Sequence, residues 1–179
     1  MAGQRELVTL IPPVLLTMSI PTVVGQPATT ALAEARILGS TDATYGTVGW
    51  TPNARLRDGA PFAIITQSGK TKEFQVETGR VRTAAPVSIF FAVAESDVPN
   101  VGFNFEDATV AWRDALRVTI PPNRRLASGS LSISANLMDV RWEMGAGDIK
   151  ERYEVLGIAF YGVEIETLLS WTTLVQFQG

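Results

Sequence analysis

Any catalysis by this 179-residue chain would run on carboxylates, because the sequence holds neither cysteine nor histidine. That rules out a thiol nucleophile, a Cys-bearing zinc site, a disulfide framework, a Ser-His-Asp triad and an imidazole base or ligand. The best cluster of oxygen ligands is Glu95-Ser-Asp97-Val-Pro-Asn100, followed by Glu106 and Asp107. Loop carboxylates of this kind are what a hard cation such as calcium takes, so Glu95, Asp97, Glu106 and Asp107 form a candidate calcium set. No EF-hand or Asp-x-Asp-x-Asp spacing accompanies them, and a solvated acidic loop explains the same residues. Glu164 and Glu166 stand two apart on the polar parity of a strand, where exposed or interfacial carboxylates are a simpler reading than an acid/base pair.

The stretch 95–100 resembles the Glu-x-Asp-x-x-Glu strand of one sandwich glucanase family. It lacks the final Glu, which would remove the general acid, and Pro99 stands where a strand should continue. The resemblance implies a glycoside hydrolase, which needs two carboxyls facing each other at about 5–9.5 Å. Other polar groups are sparser still. Arg124 and Arg125 follow Pro121-Pro122-Asn123, and a paired Arg at a loop tip can grip phosphate or a neighbour's carboxylate. Two arginines are no nucleic-acid patch, and a formal charge of -3 is small and of the wrong sign for neutralising a genome. Gly145-Ala-Gly147-Asp148 reads as a tight turn without the Lys-Ser/Thr of a phosphate loop. Trp112, Trp142 and Trp171 fall on apolar parities and read as core. A carbohydrate binder would instead expose Tyr45, Trp50 and Tyr161 together. No cofactor is expected.

The elements that must position these residues are strands. Odd positions from Val163 through Ile165, Thr167, Leu169, Trp171, Thr173 and Val175 to Phe177 alternate with a more polar set, which places them on one strand face. Regular Gly, Pro, Asn and Asp punctuation between Val-, Ile- and Thr-rich runs predicts strands at 6–11, 14–20, 44–50, 61–67, 70–77, 80–83, 86–94, 110–120, 129–144 and 152–177, the last broken near Gly162. Ser68-Gly69 and Thr78-Gly79 read as two-residue hairpin turns. In 110–120, Val110, Trp112, Leu116, Val118 and Ile120 share a face, with Asp114 as the misfit. A parity switch predicts a bulge at Leu137–Met138. Residues 30–38 fit a short helix capped by Gly39, or a strand, and 106–111 fit one helical turn. The apolar segment 7–24 carries Pro12, Pro13 and Pro21, which argue against a membrane-spanning helix. It reads as two strand-like arms around a Pro-Pro corner.

The sum is an all-β chain, a jelly-roll-like antiparallel sandwich or barrel with little helix. It forms one domain over 1–179 with an extended N-terminal arm over about 1–25. Its strand number, strand length, turn spacing and Pro-rich corners resemble the single jelly-roll capsid proteins of icosahedral tailless viruses and phages. The resemblance implies a virion subunit assembled in the host cytoplasm, self-assembling with itself and with other coat proteins. Only Arg5 is basic in the first 35 residues, so direct genome contact is not expected; the resemblance then implies a shell apposed to an internal viral membrane, without a transmembrane segment, or an outer decoration protein. Leu7, Val8, Ile11, Pro12, Pro13, Arg124 and Arg125 are the expected contact residues. The alternatives are a carbohydrate-binding module or a phage tail or baseplate sandwich, and then the carboxylate hydrolase.

Overall fold

Period-two alternation becomes two long central strands. The computed structural model describes residues 7–21, 29–51, 62–67, 69–95, 105–119, 124–125, 137–148 and 153–174. Its elements are α1 (Ile11–Leu15), β1 (Ser19–Pro21), β2 (Thr29–Ala31), β3 (Glu34–Ile37), β4 (Phe62–Gln67), β5 (Lys72–Glu77) and β6 (Arg80–Glu95). After these come α2 (Phe105–Thr119), β7 (Arg124–Arg125), β8 (Leu137–Asp148), β9 (Tyr153–Val155) and β10 (Ile158–Leu174). Among the described residues, strand outweighs helix by 55% to 17%, which makes the fold all-β, as its alternation implies.

One eight-stranded sheet has the order β3-β4-β6-β10-β8-β7, with β5 beside β6 and β9 beside β10; β1 and β2 form a separate ribbon. β3 runs parallel to β4, and the remaining pairs are antiparallel. β4 and β5 lie end to end along one edge of β6; β8 and β9 do the same along β10. The sheet is therefore two long hairpins joined through β6 and β10, with their turns at opposite ends. Thr78-Gly79 closes the first, with Gly79 at positive φ, and Leu156-Gly157 closes the second with positive φ at both residues, the combination a type I′ turn requires.

The main core lies on the face that carries Ala85, Val87, Ile89 and Phe91 of β6 and Val163, Ile165, Leu169 and Trp171 of β10. Thr167, in the same row, is buried and its hydroxyl donates to the Val87 carbonyl at 2.8 Å. Leu7, Ile11, Leu15 and Met18 cover this face from the N-terminal segment, and Trp112, Ala115 and Leu116 cover it from α2. A smaller core of Phe62, Ile64, Phe90, Ala92, Val155 and Phe160 buries the opposite face at one end of the sheet only.

Residues 110–120 are not a strand: helix α2 runs through Phe105–Thr119. Trp112 and Leu116 are four apart, a spacing that puts them on one face of either a strand or a helix. Helix is favoured by Ala115 beside them and by Asp114, which leaves the core and pairs with Arg117 at 3.4 Å one turn on. Trp112 stacks on Phe91 with centroids 4.5 Å apart. Val110 and Val118, which the strand reading would bury, are 57% and 84% exposed.

The N-terminal segment is not an extended arm either. Residues 7–8 are helical and α1 carries its prolines in the first turn, where a missing N–H costs nothing. Residues 30–38 follow the strand alternative, as β2 and β3, and 44–50 is a loop touching the sheet through one Ile37–Gly46 bridge. Gly69 is a break between collinear strands, not a hairpin turn. It packs beside Pro86, which has no N–H to offer a partner strand. The bulge predicted at Leu137–Met138 falls across 138–141, with Asp139 at φ 51°. Gly145 to Asp148 continues β8 through a second register shift rather than turning. β10 runs unbroken through Gly162, where the register with β6 slips by one residue; the chain breaks instead at Leu156-Gly157. Readings over 1–6, 126–136 and 175–179 lie outside the described residues.

These placements give two expectations. Trp112→Ala should lower unfolding free energy by about 3–5 kcal/mol while Val118→Ser changes it by under about 0.5 kcal/mol; equal losses in urea unfolding would restore the strand reading. Any Cβ at Gly162 meets the Phe91 carbonyl and the Phe90 ring, so Gly162→Ala should cost about 1–3 kcal/mol, read as a lower Tm.

Candidate functional site

Beyond the smaller core, the sheet continues as β5, the start of β6 and the end of β10. All six residues of β5 are exposed. Phe74 stands opposite Arg82 of β6, and Arg82 opposite Thr172 of β10, so these residues share one row across a sheet face. Phe74 is 54% exposed, Val76 55% and Leu174 43%, which makes this end of the sheet apolar as well as uncovered. Charged groups frame it: Arg80 pairs with Glu77 at 3.1 Å, Arg141 with Asp139 at 3.1 Å, and Arg82 donates to the Ser170 hydroxyl at 3.3 Å. Between them lies an open depression of about 340 Å³ walled by Val76, Arg82, Asp139 and Thr172. β5 pairs with β6 on one side, and among the described residues no strand pairs with its other edge. Among the described residues, that edge is left with main-chain donors and acceptors that no strand takes up. Apolar side chains, both signs of charge and a strand edge thus share one surface.

Arg36 organises a second region, the loop after β3. Its guanidinium donates to the Thr44 carbonyl at 2.7 Å and lies 5.6 Å from the Trp50 ring centre. The Glu34 carboxylate accepts from the Trp50 indole at 2.7 Å and sits 3.5 Å from Arg36 Nε, too oblique for a hydrogen bond. Asp42 accepts from the amides of Thr44 and Tyr45 at 2.8 and 2.7 Å, a side-chain-closed turn. Trp50 packs edge-on against Phe62 at 5.5 Å, and Tyr45 packs on the main core. Both are half-buried and joined to the scaffold, so they are not an exposed sugar platform; the Tyr161 side chain lies outside the described residues. A cavity of about 490 Å³ opens beside this loop, between Val8, Leu38, Thr41 and Gln67. Among the described residues that line it, none carries a charge.

No family model, curated protein or solved structure matches this chain.

Of the residues singled out in the sequence, Leu7, Val8, Ile11 and Pro12 are buried and Pro13 half-buried. The first three pack in the main core. Their apolar surface is used within the chain, which corrects their reading as a free contact arm. Arg124 and Arg125 form the edge strand β7, opposite Trp142 and Arg141, rather than a loop tip. Glu95 ends β6, Asp97 lies outside the described residues, and Glu106 and Asp107 fall in the first turn of α2. Among the described residues no His, Cys, Asp or Glu cluster is placed to hold a metal. Glu164 is buried and Glu166 exposed, so the two do not share one environment.

The Phe74–Val76 edge carried no separate signal in the sequence, because an alternating Lys-Glu-Phe-Gln-Val-Glu run reads like any half-covered strand. Arg36→Ala should leave β6 and β10 intact while amide exchange at 44–47 speeds up; hydrogen exchange read by mass spectrometry decides this, and uniform acceleration across the sheet would contradict it.

Proposed function

We propose that this chain is a structural subunit that works by associating with copies of itself and with other coat proteins. Its setting is the virion of an icosahedral tailless virus or phage, as a capsid subunit assembled in the host cytoplasm. One observation carries the association: Phe74, Val76 and Leu174 are exposed together at a sheet end with an open strand edge. Apolar side chains beside such an edge mark an interaction surface or an aggregation liability, and a subunit that assembles turns the liability to use. The virion setting is supported by the resemblance of strand number and turn spacing to single jelly-roll capsid proteins, and a strand-dominated, antiparallel fold agrees with it.

Among the described residues no helix is long and apolar enough to cross a membrane. A role over an internal viral membrane would therefore use surface apposition by these residues. A phage tail or baseplate component would use the same association chemistry in a different assembly. Light scattering across concentration and salt, with electron microscopy of the largest species, should show oligomers growing into shells or sheets. Tubes or discrete rings would move the chain to the tail reading, and a monomer under every condition would overturn intrinsic self-assembly.

A further inference from the structure

The edge of β5 that no described strand pairs with also constrains which partner strand it accepts. We propose that two copies of the chain pair antiparallel through β5 about a two-fold axis at Phe74, joining their sheets into one. This rests on the self-association proposed above and adds its geometry.

A two-fold axis perpendicular to a sheet keeps every side chain on its own face, and residues opposite each other in a ladder share a face. The pairing must then centre on a residue facing its own copy, and Phe74, Gln75 and Val76 are the central choices. Centring on Val76 puts the register shift between Gln75 and Glu77 on the axis, where an unpaired residue interrupts the ladder. Centring on Gln75 brings Glu73 toward Glu77 of the second copy, a like-charge contact.

Centring on Phe74 avoids both faults. The two Phe74 rings, each half-exposed in one chain, meet at the axis. Glu73 faces Gln75 of the second copy, and Lys72 comes against its Val76–Glu77 pair. Lys72 and Glu77 lie opposite Ala84 and Arg80 of β6, on the same parity as Phe74 opposite Arg82. An ammonium and a carboxylate therefore meet on that face twice per interface. The same charges discourage other strands from this edge. A strand-to-strand contact falls short of the roughly 800 Å² per partner of a stable interface. It is a weak, salt-sensitive link that gains strength only when repeated in an assembly.

The chain has no cysteine of its own, so single Phe74→Cys, Glu73→Cys and Val76→Cys variants report the register by oxidative cross-linking. Facing Cβ atoms in such a pair approach disulfide range, so Phe74→Cys should dimerise at least about tenfold faster than the other two. Lys72→Glu and Glu77→Lys should each weaken their own self-association about tenfold, yet pair with each other when mixed in equal amounts. Recovery on mixing excludes misfolding as the cause of the single losses. If the unmodified chain associates but cross-linking shows no preference for position 74, or mixing restores nothing, the edge pairing is wrong and association uses another surface. If the unmodified chain stays monomeric at every concentration and salt, both the pairing and the self-association fall.

Discussion

Antiparallel pairing of β6 with β10 is the constraint on which the rest of the structure depends. It runs from Phe160 opposite Glu95 to Leu174 opposite Arg80 and sets one apolar row beside another: Phe91 by Val163, Ile89 by Ile165, Ala85 by Leu169. A slip of one residue would turn every member of one row away from the core. α2 stacks Trp112 on the Phe91 ring and packs Ala115 and Leu116 into the same core, and the N-terminal segment closes over the same face. The slip at Gly162 is the one interruption of this pairing, at a position where a Cβ would meet the Phe91 carbonyl and the Phe90 ring.

Each central strand is lined by a partner in two pieces. β4 and β5 are separated beside Pro86, and β8 and β9 beyond Asp148. The two hairpins so formed differ in what covers their ends. Val155 and Phe160, near the Leu156-Gly157 turn, sit in the smaller core, whereas among the described residues no such cluster covers the Thr78-Gly79 end, where β5 is exposed. The exposed apolar side chains Phe74, Val76 and Leu174 thus lie at one end of the sheet, while Phe62, Phe90 and Phe160 are concentrated at the other.

The strand at 163–171 was legible in the sequence because one apolar face leaves a period of two, and 86–94 because burial on both faces leaves a continuous apolar run from Ile89. α2 was not, since Trp112 and Leu116 satisfy both periods and only Asp114 and Ala115 separate them. The prolines at 12 and 13 read as breakers, yet a first helical turn accepts them. Gly69 resembled a turn because a strand interrupted beside a proline has the composition of one. At the candidate site, the sequence shows that Phe74 and Val76 alternate with polar residues; whether anything covers that face depends on distant elements, and local pattern carries no record of them. Trp50 failed as a sugar platform for the same reason, since its partners Glu34 and Phe62 become neighbours only in the fold.

The order of the strands along the chain matters during synthesis. β6 emerges from the ribosome long before β10, with α2, β7, β8 and β9 made in between. At roughly 5–20 residues per second, the inner edge of β6 waits several seconds for its partner, with Ile89, Phe90 and Phe91 already exposed. The hairpin of β5 and β6 can close at once, and Pro86 limits how any foreign strand could extend along it. Nascent chains crowded on one messenger would be most prone to cross-pair during this interval, so the topology that makes the finished sheet continuous also makes its production sensitive to translation rate and chaperone supply.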